Sequence, residues 1–394
     1  MSARARLGRS LVLVVLAVGV ASCSGGGPGP ATARSPREAP QSGPSDTEGA
    51  DPSPSPVPTQ SPPPRFRPAD EIETREGFRA EVFATGLVHP TAMAYGPDGA
   101  LYVTQDTGEV VIAAPASGDP ELFVDGLRTP LGLVWLGRSL FVSEQGRLTR
   151  FRMSGDGVRG PEAVLEGLPF GLHQQDTVVV GPDGRLYLGS GSTCNRCREE
   201  DRRSAAILSL TPDGGDLKIV ATGLRNPFGL AFQPGTGQLF ATVNGVDYIG
   251  SDDQPEPAEL LVAIQDGAWY GWPTCWPSFR TLSMRGDCEG VEEPVAYLEP
   301  HSSADGLVFY TGSSFPARYR GDALVAEWGE YYATTHGRRV DRVVLPEGDE
   351  LARVSWFADG FEHPLAVTVD PWGGLLVADW GRGVIYRIQY GDSP

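Results

Sequence analysis

One phrase recurs about six times along this 394-residue chain: a Gly-Leu pair, a Pro-containing approach, a short apolar strand, a turn and a second strand. It reads ATGLVHPTAMAYGPDGALYVT at 84–104, VDGLRTPLGLVWLGRSLFVS at 124–143 and EGLPFGLHQQDTVVVGPDGRLYLG at 166–189. It returns as ATGLRNPFGLAFQPGTGQLFAT at 221–242 and ADGFEHPLAVTVDPWGGLLVAD at 358–379, with a degenerate copy at 299–327. Each copy holds strands of four to seven residues, rich in Val, Leu, Phe and Tyr and bounded by Gly, Pro and Asp turns. A third strand follows in most copies, as at 109–114, 259–264 and 342–346, and the segment before each Gly-Leu is also extended. Four antiparallel strands in each of six units, without a clear amphipathic helix, predict an all-β, six-bladed β-propeller. The chain starts with the last strand of a unit (81–85) and finishes with a third strand (384–390), so the N-terminal strand should pair with the last blade and close it. A two-sheet sandwich also uses short strands, but nothing in it calls for one phrase six times.

The propeller is expected to span 73–394. Ahead of it, Arg4, Arg6 and Arg9 precede an apolar run from Leu11 to Val20, and then Val20-Ala21-Ser22-Cys23. A basic region before a short apolar segment has the form of an export signal, too short to span a membrane stably. Small residues just before a cysteine resemble the bacterial lipobox, which implies cleavage after residue 22, lipidation of Cys23 and a chain anchored to the outer face of the cell membrane. The alternative is an ordinary signal peptide with an incidental cysteine. Residues 24–72 carry 13 of the chain's 35 prolines, with abundant Ser and Gly and almost no large apolar side chain before Phe66. Such a segment buries too little surface to fold, so 23–72 reads as a semi-extended tether.

A net charge of −18, with Lys218 the single lysine, excludes the phosphate-neutralising surface that nucleic acid requires. It also leaves the lipid anchor as the expected membrane attachment. Beyond Cys23 the chain holds Cys194, Cys197, Cys275 and Cys288, an even number that reads as disulfides in an exported protein. Sequence proximity favours Cys194–Cys197 and Cys275–Cys288 among three possible pairings, with a redox or metal motif as the rival reading of Cys194-Asn195-Arg196-Cys197.

In a propeller, the loop entering each inner strand and the loop between strands two and three open on the same face. Aligning the copies on their turns gives His89, Asn226 and His363 one equivalent position, matched by Thr129 in the second unit. His173 and Arg225 share the position just before it, and His301 lies near it in the degenerate copy. Four of the five histidines are thus expected round one channel mouth. His-Pro and Asn-Pro steps are also ordinary turn chemistry, so His89 or His363 alone is as consistent with a turn as with a site. The run Trp269-Tyr270-Gly271-Trp272-Pro273 could stack on a ring or pack beneath an insertion.

These residues, in this order, resemble the glucose/sorbosone dehydrogenases, propellers that use pyrroloquinoline quinone (PQQ). The resemblance runs over about 80–390. It is carried by His173-Gln174 leading to Gly181-Pro182-Asp183-Gly184, by Gly223-Leu224-Arg225-Asn226-Pro227 and by Tyr270-Gly271-Trp272-Pro273. The 192–197 loop is similar to the sorbosone dehydrogenase branch. The resemblance implies oxidation of an aldose or sugar aldehyde, with His173 as general base, hydride transfer to PQQ and an external electron acceptor. Neutral imidazole suits that base, because its ordinary pKa lies near working pH. It further implies that Arg225 and Asn226 bond the quinone oxygens, that His363 stands among the cofactor-binding residues, and that Ca²⁺ binds the carbonyls of Gly245 and Val246. Two departures stand out. Trp328-Gly329-Glu330 replaces a lysine that grips the cofactor in soluble glucose dehydrogenase, and Glu362-His363-Pro364 replaces arginines, leaving Arg128, Arg338, Arg339 or Arg382 to supply the charge. The other reading is a propeller that binds a carbohydrate or cell-wall ligand at the same mouth without redox chemistry.

Overall fold

A computed structural model describes residues 63–391, apart from 117, 156, 248–256, 331–335 and 349. The signal segment, the lipobox with Cys23 and the tether up to residue 62 lie outside the described residues. Within them, six antiparallel sheets of four or five strands follow one another along the chain, with a two-stranded sheet of Cys275–Ser278 and Ser283–Gly286 beside them, and the innermost strands of the six form a closed ring. Those inner strands are Pro90–Tyr95, Gly132–Leu136, Gln175–Val180, Asn226–Phe232, Ala304–Phe309 and Pro364–Val369, one for each of blades one to six. The chain is a six-bladed β-propeller. Its sixth blade is completed by Phe78–Ala84, which pairs with Val384–Tyr390, so the first long strand and the last one close the ring.

The boundary expected at residue 73 is too late. Arg67–Pro68 pairs with Phe78–Ala84, Phe66 stacks on Phe83 with ring centroids 5.3 Å apart, and Ala69 and Ile72 are buried in the core between blades five and six. Apolar surface on these few residues offsets the cost of ordering them, which the proline-rich stretch before them cannot do. The third strand expected at 342–346 is also displaced, to Arg339–Val344. Pro346 has no N–H to give the ladder, whereas Arg339 pairs with Glu327 on the neighbouring strand.

The repeated glycine of the inner strands has a packing reason. At Gly132, Gly229 and Gly306 a Cβ would stand 2.6, 2.1 and 2.4 Å from a backbone carbonyl oxygen of the next blade. A hydroxyl bridges two of these seams. Thr242 Oγ1 accepts the Gly229 N–H at 2.9 Å and donates to the Asp305 carbonyl at 2.7 Å, and Ser143 Oγ donates to the Asp176 carbonyl. Close approach of backbones at the hub therefore demands a residue without a side chain. Gly229→Ala should cost about 1–3 kcal/mol of stability. Gly155→Ala, where a Cβ meets nothing within 4 Å, should be neutral, and denaturant unfolding of the two variants checks the difference.

Candidate active site

The loops at one end of the ring enclose a cavity of about 690 Å³ lined by residues of all six blades. His173 and Arg225 enter it from adjacent loops, just ahead of the inner strands of blades three and four, and Asn226 opens the blade-four strand. The predicted trio is brought together.

His173 is fixed at both its backbone and its ring. Its N–H donates to the Ser192 carbonyl at 3.0 Å, and Nδ1 lies 3.1 Å from that carbonyl and 3.0 Å from Ser192 Oγ. Ser192 Oγ spends its own proton on the Cys194 carbonyl at 2.7 Å, so Nδ1 must be the donor. That leaves Nε2 as the basic nitrogen. Burial, followed by the positive charge of Arg225, pushes the imidazole pKa down to about 3, so His173 is neutral in the unliganded site.

Arg225 is buried, with Nε and Nη2 of its guanidinium engaged. Nε donates to the Asn195 carbonyl at 3.2 Å, and Nη2 donates to Asn195 Oδ1 at 2.9 Å and to Asp247 Oδ2 at 2.8 Å. Burial lowers its pKa, while Asp247 and Glu259 oppose that shift. Asn226 lines the cavity beside it, and its Oδ1 is buried without a hydrogen-bond partner among the described residues.

Gly245 and Val246 follow the strand Leu239–Asn244, beyond its last pairing of Asn244 with Asn226, so their carbonyls lie past the end of the ladder. Gly245 lines the cavity, whereas the Val246 side chain packs against Trp272 beneath the Cys194 and Cys197 side chains. The Gly245 N–H donates to Glu259 Oε2 at 2.5 Å. Glu259 is a functional group the repeat did not reveal. It is fully buried, faces the cavity, and burial raises its pKa to about 7. Because the folded pKa is raised, its contribution to stability is complete below about pH 4.5 and is lost as pH rises through about 7. Thermal melts between pH 5 and 8 should show the wild type losing stability relative to Glu259→Gln as pH increases.

The four histidines of the mouth divide into two pairs. His173 and His301 line the cavity. His363 stands behind the wall, stacked on Trp328 at 3.8 Å with its Nδ1 3.0 Å from the Trp328 carbonyl. His89 does the same for Trp380, stacked at 3.9 Å, while Trp380 Nε1 donates to Asp106 Oδ2 at 2.9 Å. The aromatic wall is therefore Trp328 and Trp380, with the histidines as its backing. His89, Thr129 and His301 have φ of 47°, 44° and 59°, so turn geometry also shapes these positions. The Trp269–Pro273 run serves packing: Tyr270 and Trp272 are buried in cores, and the Tyr270 hydroxyl donates to the Ala263 carbonyl at 2.5 Å.

Both favoured disulfides are present, Cys194–Cys197 and Cys275–Cys288. Cys194, Cys197 and Glu199 lie close enough to hold a metal, but the sulfurs are spent on each other and Glu199 accepts from the Thr193 N–H and hydroxyl at 2.7 Å each. Of the four arginines left to replace the missing cations, Arg128 is exposed, Arg339 is ion-paired with Glu299, Glu327 and Asp341, and Arg382 donates to the Gly360 carbonyl. Arg338 Cγ lies 2.8 Å from where a Cβ at position 329 would stand, and after burial its charge helps to depress the pKa of His363. One arginine thus lies between both departures.

A closed six-bladed propeller with a buried neutral imidazole, a buried guanidinium and a tryptophan wall at one mouth defines a class of small-molecule site. The chain belongs to the glucose/sorbosone dehydrogenase family, whose model matches residues 134–379. It is similar to the aldose sugar dehydrogenase YliI of Escherichia coli K12, 25% identical over 284 residues that cover 60% of this chain and 74% of that one. It is 26% identical over 262 residues to quinoprotein glucose dehydrogenase B of Acinetobacter calcoaceticus, covering 50% of this chain and 53% of that relative. Its fold matches the PQQ-bound aldose sugar dehydrogenase of Streptomyces coelicolor with a TM-score of 0.62 at 21% identity, over 80% of this chain and 99% of the other.

The residues present fit PQQ with Ca²⁺. The cavity volume falls in the ~300–1,000 Å³ range of small-molecule sites. The buried, unpartnered Asn226 Oδ1 and the desolvated Arg225 guanidinium ask for a polar ligand, and carbonyls past a strand end offer the hard oxygen donors that calcium takes.

Proposed function

We propose that this protein is an exported, Cys23-anchored dehydrogenase that oxidises a neutral aldose or a sorbosone-like sugar aldehyde with PQQ and Ca²⁺ and passes the electrons to an external acceptor. The observation that carries this reading is His173, with its Nδ1 proton committed to Ser192 and its basic Nε2 left over, on the same cavity wall as a buried arginine. Bound PQQ supplies the hydride acceptor. His173 would take the proton of the sugar hydroxyl, or of the gem-diol that water forms from an aldehyde, while Arg225 and Asn226 would hold the quinone side of PQQ and Gly245 and Val246 would offer carbonyls to calcium. Trp328 and Trp380 give the sugar or cofactor ring an apolar wall.

Charge at the mouth supports a neutral substrate. Asp106, Asp247 and Glu330 line the cavity alongside Arg225, while burial pushes Glu259 and Asp305 towards their neutral forms, so an acidic sugar finds a cation already paired with Asp247. Reconstitution with PQQ and Ca²⁺, followed by dye reduction over neutral aldoses, sugar aldehydes and uronic acids, tests the proposal. Turnover of a neutral sugar with little turnover of uronates is expected. Carbohydrate binding without any dye reduction would favour the non-redox reading instead.

A further inference from the structure

Asn195 occupies the four-residue ring closed by Cys194–Cys197, and its polar atoms hold separate parts of the site. The backbone carbonyl accepts from Arg225 Nε at 3.2 Å and from Trp272 Nε1 at 3.1 Å. Oδ1 accepts from Arg225 Nη2 at 2.9 Å and from the Asp247 N–H at 3.0 Å. Nδ2 donates to the Asp247 carbonyl at 3.0 Å. The Asp247 carboxylate closes the circuit on Arg225 at 2.8 Å. One residue earlier, the Cys194 carbonyl holds the Ser192 hydroxyl that receives the His173 Nδ1 proton.

We propose that Asn195 is a positioning residue of this site, coupling the Arg225 guanidinium to the 245–247 backbone from within the Cys194–Cys197 ring. Residues 245–247 include the carbonyls assigned to calcium, so one side chain sets both the arginine and the cation loop. The chemistry requires an amide. Oδ1 must accept from a guanidinium and a backbone N–H while Nδ2 donates to a backbone carbonyl, and only a carboxamide on this short a side chain does both. The backbone carbonyl of the same residue must also face Arg225 and Trp272. The disulfide holds the loop in the conformation that permits this. Trp272 packs against Val246 and the two cysteines, which fixes the loop from its other side. The inference rests on the proposed function for what the site does, but not for how its parts are held.

Three variants test it: Asn195→Ala, Asn195→Asp and the pair Cys194→Ser with Cys197→Ser. In the apoprotein, amide hydrogen exchange at Asp247 should rise at least ~10-fold in Asn195→Ala and stay near wild type in Asn195→Asp, which keeps the acceptor. In the loaded enzyme, Asn195→Ala should lower kcat about 10–100-fold, the usual cost of removing a group that orients ligating or catalytic residues, with the sugar KM within about threefold. Asn195→Asp should recover most of kcat yet need about tenfold more Ca²⁺ to retain PQQ, because it offers no donor to the Asp247 carbonyl. The double serine variant should resemble Asn195→Ala in milder form. Unchanged Asp247 exchange and kcat in Asn195→Ala would overturn the proposal. Should that variant fail to fold by thermal melting, the aspartate and serine variants decide on the same readouts. If the wild type takes up no PQQ, the proposed function fails, while the exchange measurement still decides this inference.

Discussion

Replacing His173 by alanine should lower turnover by about 10²–10⁴-fold while PQQ and Ca²⁺ remain bound. The reason lies in the division of labour between its two nitrogens. Nδ1 is tied to Ser192, whose hydroxyl is in turn tied to Cys194, so the ring can neither flip nor change tautomer without losing buried hydrogen bonds. Nε2 is the atom left for substrate. Burial and Arg225 keep the imidazole neutral, and a histidine NMR titration of the apoprotein should find His173 unprotonated at pH 5. The pKa of about 3 also fixes the sign of its effect on stability: the contribution is complete above about pH 6.5 and is lost as pH falls towards 3. His173→Gln should be as inactive as the alanine variant, since an amide cannot take the proton. Turnover within tenfold of wild type in either variant would mean that another group is the base.

Arg225→Met should cost about 10²–10³-fold in kcat, the magnitude seen when one donor to a developing negative charge is removed. Arg225→Lys should rescue little of it. A guanidinium reaches the Asn195 carbonyl, Asn195 Oδ1 and Asp247 Oδ2 together, whereas an ammonium is a point charge without that fork. Removing the positive charge should also let the pKa of His173 rise, because Arg225 is the second cause of its depression after burial. NMR titration of the variant reads that shift without cofactor or substrate. A kcat that survives Arg225→Met, with His173 titrating as before, would separate this arginine from the chemistry.

Much of this was legible because a propeller translates sequence alignment into spatial adjacency. His173, Arg225 and Asn226 fall together in the aligned copies, and the structure places all three on one cavity. The glycines at 132, 229 and 306 were visible as a repeated letter, and their reason is a carbonyl of the next blade. Other features depend on pairings between blades that no single copy contains. His89 backs Trp380 and His363 backs Trp328, so the equivalent histidine position supports the wall while its tryptophans face inward. Glu259 is hidden at the head of an apolar strand, Glu259–Ala263, where a lone acid signals little until its burial and its bond to Gly245 are seen. Asn195 lies in a loop outside the repeat, so aligning copies could not reach it. The first few residues of the folded body were missed because Phe66 and Ile72 border a stretch whose prolines dominate its composition.

Calorimetric titration of the apoprotein with PQQ, in the presence of Ca²⁺, tests the central claim most directly. Saturable binding of one PQQ per chain, with a Kd in the micromolar range or below and weakened by chelating calcium, is the expected result; that range corresponds to about −8 kcal/mol or better. Absence of heat at PQQ concentrations of about 100 μM, a range in which a Kd even tenfold weaker than 1 μM would still saturate, would contradict it.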